Sequence, residues 1–174
     1  AVIYGGISSE REVSINTGKE IISNLDKSKY EVIGLELEKA EDIFKLRDMN
    51  VDFVYIALHG IFGEDGRIQA ILQSFGIAYS GPGVMSSAVC MDKEFSKRIV
   101  SEYGVRIAKW KSVRVGETVD FETVKKELGD HLIVKPNNGG SSIGVSFVET
   151  EEELKNTQLL LASSNKNVNI LNLD

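Results

Sequence analysis

Apolar and polar positions fall into short blocks with two alternating periods. Ala1–Tyr4 is an apolar run that ends at Gly5-Gly6, and its length suits a strand. Ser9-Glu10-Arg11-Glu12 matches a capping box, with Ser9 as N-cap and Glu12 reaching back. Val13, Thr17, Ile21 and Leu25 then recur every four residues, which predicts a helix with that stripe buried. Tyr30–Leu37 reads as a second strand, Ala40–Met49 as a helix and Phe53–Leu58 as a buried strand. His59–Gly66 is a loop with three glycines, followed by a helix from Arg67 to Phe75 that Gly76 stops. Ile77–Tyr79 is a further short strand. The β-α-β-α-β order predicts a parallel sheet covered by helices, with ligands at the C-terminal strand ends. Both glycine loops sit at such ends.

Ser80-Gly81-Pro82-Gly83 is the strongest punctuation in the chain and marks a joint. A helical stretch runs from there to about Tyr103 and stops at Gly104. Val105–Val115 reads as extended, Phe121–Leu128 as a helix and His131–Lys135 as a strand. Ser141–Gly144 interrupts the apolar pattern before Val145–Val148 resumes it, so strand, glycine loop and strand form a hairpin. Thr150–Asn156 begins like a helix, whereas Ser163–Asp174 is rich in Asn and Ser with no firm period. The fold class is therefore α/β, with a parallel-sheet domain over 1–83 and an α+β segment over 84–174.

Composition narrows the function. Hydrophobic residues make up 42% and charged residues 26%, enough apolar sequence for a packed core. A net charge of −6 without a basic, aromatic-interleaved run argues against a nucleic-acid partner. One cysteine, Cys90, excludes an internal disulfide and suits a reducing compartment; it reads as a small buried hydrophobe on a helix. Two histidines and one cysteine leave no zinc-type cluster. No apolar run approaches the roughly 20 residues of a membrane helix, and the apolar start lacks a signal peptide's basic flank, so the expected location is cytoplasmic, without a membrane partner.

The chemistry lies in the loops. Val134-Lys135-Pro136-Asn137-Asn138-Gly139-Gly140-Ser141-Ser142-Ile143-Gly144 combines three glycines, two serines and a strand lysine. Glycines let backbone N–H groups converge on one centre, hydroxyls add donors, and the ammonium adds charge, a set suited to polyphosphate. No Gly-Lys-Ser/Thr follows and no helix opens there, so it is not a Walker A loop, nor is G-x-G-x-x-G present. The competing reading is a hairpin turn without a ligand. Glu10 stands at a helix start, where the dipole favours a carboxylate, or is a plain first-turn glutamate. His59 follows an apolar strand and either titrates near neutrality or bonds a loop carbonyl. Lys93, beside Asp92, reads by itself as a solvated surface charge.

Taken together, these segments resemble the D-alanine–D-alanine ligase family of the ATP-grasp class. Gly5-Gly6-Ile7-Ser8-Ser9-Glu10-Arg11-Glu12-Val13-Ser14 is similar to its first signature and His59-Gly60-Ile61-Phe62-Gly63-Glu64-Asp65-Gly66 to its second. Tyr79–Val84 with Met91-Asp92-Lys93 resembles the domain joint, and 134–144 the phosphate-covering loop. The resemblance implies an N-terminal pre-ATP-grasp domain followed by a partial ATP-grasp central domain. It implies that Glu10 binds the ammonium of the first D-alanine and hydrogen-bonds Ser141, that Val13 lines that pocket, and that His59 lies near the substrate carboxylate. Lys93 and Lys135 would contact ATP phosphates, with Gly140, Ser141, Ser142 and Gly144 closing over them. The family reaction passes the γ-phosphoryl to the first D-alanine's carboxylate. The amine of a second D-alanine then attacks the acylphosphate, giving the dipeptide for peptidoglycan synthesis. Positioning and charge stabilisation carry the rate.

The resemblance also implies Mg²⁺ or Mn²⁺ bound by ligands of a third, C-terminal domain, and a homodimer formed through the first domain. Nothing after Thr150 supplies that Asp/Glu/Asn constellation, and Leu159–Asp174 departs from the family pattern. The expectation is a truncated ligase that does not turn over alone. A D-alanine–D-lactate or D-alanine–D-serine ligase, or a fragment that only binds ligand, are the alternatives.

Overall fold

The computed structural model describes residues 1–140, 142–163 and 167–172. The chain divides into two compact units, Ala1–Cys90 and Met91–Asp174. Each has its own core.

Unit 1 contains strands β1 (Val2–Gly5), β2 (Gly34–Leu37), β3 (Phe53–Ile56) and β4 (Ala78–Tyr79) in the order β2-β1-β3-β4, all parallel. Helix α1 (Arg11–Asn24), a 3₁₀ segment (Ala40–Asp48) and helix α2 (Arg67–Phe75) connect them, and α3 (Val84–Met91) follows. Ile3, Leu37, Ile43, Leu46, Val54, Ile68 and Leu72 are sealed from solvent and form one core. Tyr4 faces the other way, against α1. A Cβ on Gly18 would come within 2.4 Å of the Tyr4 Cβ, so only glycine lets this helix lie so close to β1.

Two expectations about α1 are corrected here. Its N-cap is Glu10, not Ser9, and no side chain caps the helix. The buried residues are Ser14 and Gly18, one position beyond the predicted stripe, while Val13 is half exposed. Helical spacing located the helix, but the smallest residues face the sheet because the backbone approach leaves room for nothing larger. The second strand is also shorter than Tyr30–Leu37, and the helix expected over Ala40–Met49 is present as a 3₁₀ helix, Ala40–Asp48. Helix α2 and its left-handed stop at Gly76 stand where predicted.

Unit 2 is an antiparallel sheet, β5 (Trp110–Val113), β8 (Val168–Asn172), β6 (Leu132–Pro136) and β7 (Ser146–Val148) in that order. Helices α4 (Lys93–Glu102), α5 (Phe121–Leu128) and α6 (Glu151–Ser163) accompany it. Val113, Val124, Leu132, Val134, Val148, Leu154, Val168 and Ile170 make its core. The predicted β6–β7 hairpin is present. The helical stretch after the joint is two helices, broken at Asp92, whose carboxylate caps α4 through the N–H groups of Glu94 and Phe95. Cys90 is exposed rather than buried.

The Asn-rich tail holds the largest difference from expectation. Val168–Asn172 is a strand between β5 and β6, hydrogen-bonded on both sides. Val168 and Ile170 enter the core, while Asn169, also sealed from solvent, faces the opposite side. An alternation of only five residues carries a weak periodic signal, and its asparagines read as loop formers. Among the described residues no helix is long and apolar enough to cross a membrane.

Candidate functional site

In unit 1 the strand order reverses direction at β1: β2 lies on one side, β3 and β4 on the other. The crevice outside the carboxyl ends of β1 and β3 is therefore a topological switch point, the usual ligand position in an open parallel sheet. Ser14 pins the two ends together. Its hydroxyl donates to Ala57 O at 2.7 Å and accepts from Gly5 N at 2.8 Å.

The loops leaving β1 and β3 meet above this stitch. Ser8 Oγ donates to His59 O at 2.7 Å and accepts from Glu10 N at 3.1 Å. Glu10 is buried, and a Cβ on Gly60 would lie 2.5 Å from its Oε2, so the carboxylate rests directly on the Gly60 backbone. His59 Nε2 lies 3.0 Å from Thr17 Oγ1, which itself donates to Val13 O at 2.9 Å. The Thr17 hydroxyl and the His59 ring share this hydrogen bond. Nδ1 faces Glu64 Oε1 at 3.7 Å. Glu10 and His59 are thus brought together, and Val13 joins them through its backbone carbonyl only.

Acidic residues of the second loop hold it in shape. Glu64 Oε2 accepts from Gly60 N at 2.7 Å and Asp65 Oδ2 from Phe62 N at 2.8 Å, the latter at a left-handed, non-glycine residue. Partial burial would raise the Asp65 pKa, but Arg67 and the backbone donors overcome it and hold the carboxyl below its usual range.

In unit 2, Lys93 opens α4 and its Nζ donates to Gly139 O at 2.6 Å, while its N–H bonds Asn137 O at 3.1 Å. It is a clamp on the glycine loop, not the solvated charge its position in sequence suggests. Ser142 and Gly144 lie in left-handed turns of that loop, tied by Ile143 N to Gly140 O and Val145 N to Ser142 O. Ser141 lies outside the described residues, so its expected bond to Glu10 is not described. Lys135 stands on β6 directly opposite Asn169 of β8 and borders a cleft of about 820 Å³ lined also by Ile107, Ile133 and Leu171.

Behind the loop runs a chain of side-chain hydrogen bonds that sequence reading missed. Asn137 Nδ2 donates to Asp92 Oδ2 at 2.7 Å, and Asn137 Oδ1 accepts from Glu94 N and from Asn169 Nδ2 at 2.7 Å. Asn169 Oδ1 then accepts from Lys97 Nζ at 2.8 Å. Each member fixes the orientation of the next. Lys97, half buried over the Trp110 ring, is pulled down to about 8, first by burial and further by Lys135 and Lys93, with Glu94 and Asp92 opposing. Lys93 and Lys97 are one turn apart, a signal the sequence contained, but Asn169 lies 72 residues beyond Lys97 and 32 from its own partner Asn137. Among the described residues no group of three His, Cys, Asp or Glu could hold a metal ion.

Known proteins agree with this layout. Residues 1–49 and 39–82 match the family model described as D-ala D-ala ligase N-terminus, and residues 99–171 match D-ala D-ala ligase C-terminus. The chain is 49% identical over 155 residues to a D-alanine–D-alanine ligase of Clostridium beijerinckii, covering 89% of this chain and 51% of that one. A crystal structure of the Bacillus anthracis D-alanine–D-alanine ligase complexed with ATP superposes with a TM-score of 0.88 at 40% identity, over 99% of this chain and 57% of that one. The VanG D-Ala:D-Ser ligase of Enterococcus faecalis superposes at 0.81 with 26% identity, over 98% of this chain and 61% of that one. The chain spans about half the length of the curated relatives it matches.

A parallel sheet with a switch point, followed by an antiparallel sheet with a lysine-clamped glycine loop, is the architecture of an ATP-grasp protein. Within that class, the chain belongs to the D-alanine–D-alanine ligase family.

Proposed function

We propose that this chain is the amino-acid-binding and phosphate-facing part of an ATP-dependent ligase that joins two D-alanines. The observation that carries the reading is the unit 1 cluster, where the buried Glu10 carboxylate and the Thr17-bonded His59 stand at the switch point of the sheet. Glu10 would receive the ammonium of the first D-alanine, His59 would stand near its carboxylate, and the half-exposed Val13 would line the pocket.

In unit 2, Lys93 and Lys135 would bind ATP phosphates, with Gly140, Ser141, Ser142 and Gly144 as the covering loop. Lys93 supports this because its ammonium already holds the loop backbone at Gly139. ATP would supply the γ-phosphoryl that activates the first carboxylate. The chain's own part is to place that carboxylate, exclude water and neutralise developing charge. The dipeptide would serve peptidoglycan synthesis in the cytoplasm, and a homodimer through unit 1 fits the same reading. D-serine as second substrate stays open beside D-alanine, since the D-Ala:D-Ser ligase shares this fold. A competition assay on the full-length parent with D-alanine, D-serine and D-lactate separates them.

Ligand-observed NMR with D-alanine, and L-alanine as control, tests the pocket. D-alanine should bind, and Glu10→Gln should weaken it about tenfold or more, the worth of one charge-assisted hydrogen bond. Equal binding by the variant sinks the role of Glu10. Phosphate release from Mg-ATP with and without D-alanine tests sufficiency: this chain alone should release none, and D-alanine-dependent release would show the span catalytically complete.

A further inference from the structure

We propose that Lys97 is a third cationic contact for a nucleotide polyphosphate in unit 2, positioned by the Asn137–Asn169 pair and additional to Lys93 and Lys135. The inference rests on the nucleotide reading above and deepens it.

Strand register sets the geometry. Ser112, Asn169 and Lys135 form one row across β5, β8 and β6, because directly opposite residues share a face. That face is the reverse of the one bearing Val113, Ile170 and Val134, which are core. Lys97 reaches the middle of the row, bonding Asn169 Oδ1. Its ammonium therefore stands on the same side as Lys135, and one turn along α4 from Lys93.

Asn169 Oδ1 already has a neutral donor in Ser112 Oγ at 3.3 Å. The nearby carboxylates are also engaged: Asp92 caps α4 and accepts from Asn137, and Glu94 pairs with Arg98. Among the described residues Lys93, Lys97 and Lys135 act on one another's charge around these two carboxylates, an arrangement that an arriving anion would favour.

The groups that act on Lys97 are Asp92, Lys93 and Glu94 on its own helix and Lys135 on β6. Its depressed pKa, about 8, follows from burial first and from the two lysines after it. A neutral lysine amine still donates, so the Asn169 bond survives loss of the proton, and Lys97 can change charge without moving. An arriving polyphosphate favours the charged form, so binding near pH 8 should take up a proton.

The test is titration calorimetry of this chain with ATP and with inorganic tripolyphosphate, at pH 8 in two buffers of different ionisation enthalpy. The unaltered chain should bind both with net proton uptake. Lys97→Met should weaken both about tenfold, one charge-assisted contact, and lose the uptake. Lys97→Arg should keep the affinity and lose the uptake, because guanidinium does not deprotonate there. Unchanged affinity and uptake in Lys97→Met would overturn the assignment of Lys97 and leave the nucleotide reading standing. No binding by the folded, unaltered chain would overturn both. If Lys97→Met does not fold, ¹³C-lysine NMR of the unaltered chain decides: the Lys97 Cε midpoint should rise when tripolyphosphate is added, and a fixed midpoint refutes the proposal.

Discussion

The two units build their candidate sites by opposite means. Unit 1 brings backbone close: Gly18 admits Tyr4, Gly60 supports the Glu10 carboxylate, and one buried hydroxyl, Ser14, joins the ends of β1 and β3. Unit 2 extends side chains instead. An Asp92–Asn137–Asn169–Lys97 chain of hydrogen bonds crosses from a helix cap to a central strand and orients the groups around the glycine loop. The contrast suits the ligand each unit is proposed to hold. A small amino acid is selected by a tight, fixed pocket, whereas a polyphosphate is held by several cations whose charges must be kept apart from their own carboxylates.

The comparison can be broken at its structural base first. Ile170→Ala empties a sealed core position on β8 and should destabilise unit 2 by about 2–5 kcal/mol. Thermal melting reads it, and a loss near zero would mean that the tail strand does not support the sheet. Ser14→Ala should cost about 1–3 kcal/mol in unit 1, since it leaves Gly5 N–H and Ala57 C=O without their shared partner. Denaturant unfolding would show whether that hydroxyl is the stitch described. Gly60→Ala should cost least in stability, about 1–2 kcal/mol for a left-handed alanine, yet should displace Glu10 Oε2 and weaken D-alanine binding. Binding unchanged alongside that small loss would separate Glu10 from the pocket and leave the tight-backbone account of unit 1 without its functional half.

Much of this was legible in the residues. The parallel βαβ order, α2 with its Gly76 stop and the β6–β7 hairpin follow from periodicity and punctuation, which are local signals. Glu10 and His59 were also singled out and do lie together, because both loops leave adjacent strand ends. The buried stripe of α1 was misplaced, since apolar spacing does not report that a helix packs through Ser14 and Gly18.

The sequence by itself determined the family, the loops and most element types, because those depend on neighbours a few residues apart. Only the tertiary structure decided that Lys93 clamps Gly139, that Asn169 occupies a sealed position on a central strand, and that Lys97 shares a face with Lys135. Each of these depends on strand register and on partners more than thirty residues apart. A pattern of residue types carries no record of which distant amide will meet which ammonium, and that pairing is what places charge around the loop.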